Sequence, residues 1–250
     1  VTLRGYKDAA DYVKNYPFAP YQFTLLSKIF EAIRRHGATG KHLSKGERSL
    51  LDAFQTAAKS VLDENIDCMV PLYEFYPSIE SFLESTVKHS IDNAQKEVGG
   101  LFEEFDLKLL KTLFLIKYIP EIVKGTVDNL ATLCVDEIDT DKLELKKTIQ
   151  QSLARLEKQN LVNRNGDEWM FLTHEEQDIA REIGHEVVSS DELTRKLAEL
   201  VFDEAFKGQN KVRHRDSKGD YEFNRLLDGR IYKNSTHELT LDLITELNDE

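Results

Sequence analysis

The chain has 250 residues, 40% apolar and 31% charged, a balance that favours a globular fold and excludes an intrinsically disordered segment. Its formal net charge of -12 argues against a free nucleic-acid binder as the first expectation. No apolar run approaches the ~18 residues of a membrane span, the start VTLRGYKDAADYVKN lacks a signal-peptide core, and Cys68 and Cys134 stand alone, without metal-ligand or disulfide-framework spacing.

These features fit a reducing cytoplasm. The charge is uneven: residues 1–60 carry ten Lys/Arg against five Asp/Glu, whereas residues 63–145 carry seven against eighteen. Such asymmetry implies different partners for different parts. The sequence opens in mid-pattern and stops soon after a strand-like run, so a fragment of a longer protein is expected.

The helical period dominates. YQFTLLSKIFEAIRR places Leu26, Ile29, Phe30 and Ile33 on one face, and ERSLLDAFQTAAKSVL does the same with Leu50, Leu51, Phe54, Ala58 and Val61. VPLYEFYPSIESFLESTVKHSIDNA predicts a helix starting after Pro77, preceded by an aromatic cluster expected to pack against a neighbouring domain. From Asp106 three helices follow: DLKLLKTLFLIKYI, ended by Pro120; TVDNLATLCVDEI, with Leu130, Leu133 and Cys134 inward; and DTDKLELKKTIQQSLARLEKQNLV, with Leu145, Ile149, Leu153 and Leu156 inward. Then LVNRNGDEWMFLT predicts a β-hairpin, with Asn165-Gly166 as a type I′ turn. Three helices and a hairpin follow the order of a winged helix-turn-helix, the hairpin being the wing.

Two further helices are expected in HEEQDIAREIGHEVVSSDELTRKLAELVFDEAF, the second capped by Ser190. Ser217-Lys218-Gly219-Asp220 reads as a turn between extended runs, and HELTLDLI alternates as a strand does. The fold class expected is mainly α, ending in the start of a further α/β or β region. The expected divisions are 1–65, a helical linker at 66–105, a winged helix at 106–173, a helical extension at 174–208 and a β-containing region from 209.

Chemistry is sparse. GATGK resembles the tail of a phosphate-binding loop, but position 35 is Arg where that motif needs Gly, and His42 follows Lys41 where it needs Ser or Thr. A simpler account is a helix–loop–helix connection. Arg34 and Arg35 suit a helix C-terminus, Gly37 a left-handed end, and Ser44 with Glu47 a capping box. That account leaves Arg48 in a helix first turn, where its charge opposes the dipole. Either a phosphate or a neighbouring carboxylate compensates it.

In the third helix of the winged unit, Lys147, Gln151, Arg155 and Lys158 share a face opposite the apolar stripe, flanked by Lys146 and Gln150, with Arg164 in the wing. The face suits a major groove, cations on phosphates and Gln on base edges; a solvated or partner-facing surface is the other reading. The histidines show no ligand spacing, no nucleophile motif occurs, and Asp136, Asp139 and Asp141 read as caps. No metal site and no self-sufficient active site are expected, so the fragment is not read as an enzyme.

NYPFAPYQFTLLSKIFEAIRRHGATGKHLSKGERSLLDAF, VPLYEFYPSIESFLEST, LKTLFLIKYI and LARLEKQNLVNRNGDEWMFLTHEEQDIAREI together resemble the BrxC/PglY family of P-loop ATPases from BREX bacteriophage-exclusion systems. The resemblance implies an AAA+-like protein in a multi-subunit antiphage system that also contains a DNA methyltransferase. It implies ATP and Mg²⁺ at a core upstream of Val1, none bound by this fragment alone. Residues 1–65 would be a helical lid ahead of the winged helix. Arg48 is then the candidate nucleotide sensor, with Arg34 and Arg35 behind it. Other BREX subunits, double-stranded DNA and further copies of the full-length protein are the implied partners. A stand-alone winged-helix transcription regulator is the alternative.

Overall fold

The computed structural model describes residues 3–35, 46–80, 83, 85–185, 189–233 and 236–246. It is mostly helical and divides into two compact units, residues 1–183 and 184–250.

The first unit opens with α1 (Ala9–Asn15), whose N-cap Asp8 accepts from the Asp11 N–H. In α2 (Pro20–Arg35) proline occupies the first helical position, where its missing N–H costs nothing. Leu25, Leu26, Ile29, Phe30 and Ile33 form its buried stripe. Helix α3 (Gly46–Ser60) buries Ala53 and Ala57 against the same core. A 3-10 turn, Leu72–Phe75, leads into α4 (Tyr76–Glu80). The helix thus begins one residue before Pro77 rather than after it, because proline is tolerated in a first turn. The aromatic side chains of that stretch are buried between α3 and the helix Glu104–Lys117. Helix α5 (Ser85–Lys96) follows.

Helix α6 (Glu104–Lys117) is the centre of this unit. Leu109, Leu110, Leu113, Phe114, Leu115 and Ile116 are all buried, so it is apolar on nearly every side. It packs against the 3-10 turn, α5, α7 (Val127–Leu133), α8 (Lys142–Lys158) and the hairpin strand Glu168–Phe171. Asp141 caps α8 as expected, accepting from the Leu143 and Glu144 N–H groups. Strands β1 (Val162–Asn165) and β2 (Glu168–Phe171) pair with Asn165 opposite Glu168. The two-residue loop is therefore Gly166-Asp167, one step later than the sequence signal. Of that pair only Gly166 has positive φ, as a II′ turn requires. Helix α9 (His174–His185) is tied down by Gln177, whose buried amide donates to Ser90 and to the Leu172 carbonyl.

Among its described residues the second unit holds α10 (Ser190–Glu199), a π-helical turn (Leu200–Ala205) and four strands. Its cap is Ser189, not Ser190: Ser189 and Glu192 form a reciprocal capping box. Strand β3 (Lys211–Arg213) pairs antiparallel with β4 (Asp220–Leu227), as does β5 (Arg230–Ile231). Phe223 donates to the Asn210 carbonyl and Arg225 accepts from the Tyr232 N–H, both at 2.9 Å. Residues two apart face one edge, so β3 and β5 lie end to end along one side of β4. Strand β6 (Leu239–Leu243) runs parallel along the other. Ala198, Phe202 and Leu227 form the core, with Tyr232, Leu241 and Leu243 packed around it.

Among the described residues no helix is long and apolar enough to cross a membrane. Neither Cys68 nor Cys134 is paired, and both are buried; burial pushes the Cys134 thiol up to about 12.

Candidate functional site

The best-defined candidate is the surface built by α7, α8 and the hairpin. Its placement depends on one glycine. The Trp169 N–H donates to the Gly125 carbonyl at 2.9 Å, tying the α6–α7 connection to β2 by a main-chain hydrogen bond. A Cβ at Gly125 would lie 2.0 Å from the Trp169 carbonyl oxygen, so only glycine permits this approach. Lys117 pins the other end, donating to the Phe171 carbonyl at 2.9 Å and to Glu176 at 2.6 Å.

A second fastening joins α8 to α6. Glu103 and Asp106 make a capping box at the start of α6. The Asp106 carboxylate is fully buried and receives both arms of Arg155, each at 2.8 Å; Arg155 also reaches Glu103 at 3.0 Å. Burial pushes the Asp106 carboxyl up, but hydrogen bonds from Arg155 and the Glu103 N–H outweigh it and hold it below the ordinary carboxylate range. Arg155 is therefore spent inside the fold, although spacing alone put it beside Lys147 and Gln151.

The other residues of the expected nucleic-acid face divide into two groups. Lys147, Gln151 and Lys158 are exposed on α8, with Lys147 paired to Glu144 at 2.7 Å. Lys146 turns to the α7 side, 2.5 Å from Asp128. Arg164 lies over the Trp169 ring, donates to the Gly166 carbonyl and approaches Asp167 at 3.9 Å. Lys146, Gln150 and Arg164 line one groove of about 710 Å³ together with Ala154, Trp169 and the carboxylates Asp128, Glu157 and Asp167. Each of its cations already faces a carboxylate. Trp169, the chain's single tryptophan, and Gly125 went unnoticed in the sequence reading. The proximity of KGTVDN to a hairpin partner was the missing signal, and it is tertiary.

The sensor candidates are elsewhere in this unit. Arg34 donates to its own helix at the Phe30 carbonyl, and Arg35 pairs with Glu31 at 2.7 Å. Arg35 also lines another groove of about 710 Å³, floored by α6 and β2 side chains such as Ile116 and Met170 and edged by Lys28 and Lys124. The Arg48 main chain belongs to α3, but its side chain lies outside the described residues, as do Gly37, GATGK and Ser44. Among the described residues no cluster of His, Cys, Asp or Glu could hold a metal ion.

No solved structure matches the chain. Residues 186–250 match a family model described as the fourth domain of the BREX ATP-binding protein BrxC, with a six-stranded beta sheet. The matched residues hold α10 and strands β3 to β6. The second unit is thus a BrxC-related domain, and in this C-terminal region the chain resembles BrxC, the ATP-binding protein of BREX.

Proposed function

We propose that the chain is a regulatory and interaction segment of a BREX antiphage-defence ATPase, relaying nucleotide state to a partner subunit rather than performing chemistry. The family match at residues 186–250 supports the BREX setting. The order α6, α7, α8 and a β-hairpin supports a winged-helix reading. In this reading α2 and α3 belong to an AAA+-type helical lid, and Arg48, with Arg34 and Arg35 behind it, touches a nucleotide held with Mg²⁺ by an upstream core.

The observation that carries the docking surface is the groove between α7, α8 and the hairpin. It is concave, holds the Trp169 ring, and its cations are already neutralised. Aromatic, charge-balanced concavities favour protein partners over a phosphate backbone, which needs unpaired cations. Ala154 is exposed in the groove, so Ala154→Arg fills it without touching the core. Binding of the chain to purified BREX subunits, tested one at a time, is expected to weaken at least roughly tenfold in that variant. Unchanged binding rejects the surface.

Duplex DNA is the second reading, favoured by the exposed Lys147, Gln151 and Lys158 along one side of α8. Lys147→Glu with Lys158→Glu should then abolish salt-dependent duplex binding. Absence of binding by the unaltered chain at low salt sinks it. For the sensor role, Arg48→Ala in the full-length protein should lower ATP turnover, and unchanged turnover with unchanged folding removes Arg48 from it. A stand-alone transcription regulator accounts less well for a BrxC-related domain in the same chain.

A further inference from the structure

Building on the docking surface proposed above, on which this inference rests, we propose that the groove between α7, α8 and the hairpin receives an arginine of the partner. Its guanidinium binds the Glu157 carboxylate and its stem lies along the Trp169 ring. Gln150, Ala154 and Glu157 line the groove from α8, each about one turn from the next, so they share a helix face. Ala154 is the smallest of them and leaves room for an incoming side chain.

Glu157 is out of place in its own helix. It is the penultimate residue of α8, where the carbonyl end repels a carboxylate and favours Lys or Arg. A cation three or four residues away would offset that cost, but those positions hold Leu153, Ala154, Asn160 and Leu161. The ion pairs of this surface, Lys146 with Asp128, Lys147 with Glu144 and Arg164 with Asp167, leave Glu157 out. Arg155 is turned inward to Asp106. Glu157 is exposed, and among the described residues it has no ion-pair partner. The groove's carboxylates, Asp128, Glu157 and Asp167, thus outnumber its cations, Lys146 and Arg164, both already engaged. Its complement is a positive charge brought from outside.

The neighbouring ring selects arginine. A guanidinium is planar, gives a carboxylate two N–H groups and stacks on aromatic rings, whereas lysine offers a point charge. Tryptophan is the best ring for such a contact. Trp169 already takes one guanidinium, that of Arg164, at 5.6 Å from the ring centre. Arginine is also enriched at protein interfaces, where lysine is depleted.

Trp169, the single tryptophan, is the reporter for the test. At low salt the peptide acetyl-Gly-Arg-Gly-amide should change the fluorescence of the 250-residue chain saturably. Its citrulline counterpart, alike in shape but uncharged, should bind at least roughly fivefold more weakly. Glu157→Gln should remove that discrimination. Because the substitution relieves the helix terminus, the melting temperature should not fall, which separates the result from lost folding. No saturable response, equal response to both peptides, or discrimination that survives in Glu157→Gln overturns the proposal. Calorimetry with purified BREX subunits separates it from the docking reading. If Ala154→Arg weakens subunit binding and Glu157→Gln does not, the groove docks a partner without the arginine and this inference falls. If the peptides discriminate but no subunit binds, the arginine site stands and the docking reading fails.

Discussion

The two units reach stability by different means. In the first, a single core runs from Ala19 to Phe171 and surrounds α6, a helix so enclosed that Leu109, Leu110, Phe114 and Leu115 have no measurable exposure. In the second, the buried cluster is Ala198, Phe202 and Leu227. Polar contacts carry more of the load there. Asp203 accepts from the Tyr232 hydroxyl at 2.8 Å and from Lys233 at 3.0 Å, while Arg225 lies over the Phe202 and Tyr232 rings at 5.9 and 5.7 Å. Small domains bury a smaller fraction of their surface, so each apolar group counts for more. A unit with a large core can present a shaped surface at little risk. One with a small core depends more on its polar contacts.

Perturbations at matched depths sharpen this contrast. The largest expected effect is Phe202→Ala, about 3–5 kcal/mol for an enclosed aromatic ring. It should melt residues 184–250 while the protection of α6 against hydrogen exchange persists; loss of protection in both units together would break the distinction. Next is Arg155→Ala, about 3 kcal/mol, because Asp106 is left as a buried charge without its partner. Thermal denaturation of the first unit measures it.

The same pair sets an acid response. Asp106 is depressed in the fold, so its contribution is complete above its ordinary value of about 3.9 and disappears as pH falls through the lower folded value. In Arg155→Ala, burial is opposed by the Glu103 N–H without the guanidinium, so acid unfolding should begin at higher pH. Gly125→Ala comes third, at about 1–3 kcal/mol, as the hairpin gives way to the added methyl. Because Trp169 is the single tryptophan, its fluorescence should shift to the red. Smallest is Ser189→Ala, about 1 kcal/mol from the lost cap of α10, read as a fall in the melting temperature of the second unit.

Periodicity made most of the helices legible. The 4, 4, 3 spacing of Leu145, Ile149, Leu153 and Leu156 marked the inner face of α8, and all but the half-buried Leu145 are enclosed. Turn chemistry was legible in part. Asn-Gly located the first hairpin but missed its register by a residue, because Asn165 takes a strand position and Gly166 alone supplies the positive φ. Asp228-Gly229, an equally good I′ signal with φ of 51° and 73°, closes β4 to β5 and was passed over inside LLDGRI. The site was less legible than the fold. Helical spacing aligned Arg155 with Lys147, but Asp106, 49 residues earlier, claims its side chain. Long-range charge pairing and the Gly125–Trp169 approach depend on tertiary neighbours that no local window contains.

The surface proposed to dock a partner subunit is the groove between α7, α8 and the hairpin. The most direct measurement is the calorimetric affinity of the 250-residue chain for each purified BREX subunit, with and without Ala154→Arg. One subunit should bind the unaltered chain and bind the variant at least roughly tenfold more weakly, with helical circular dichroism unchanged. Equal affinity for both forms, or no binding to any subunit, would contradict it.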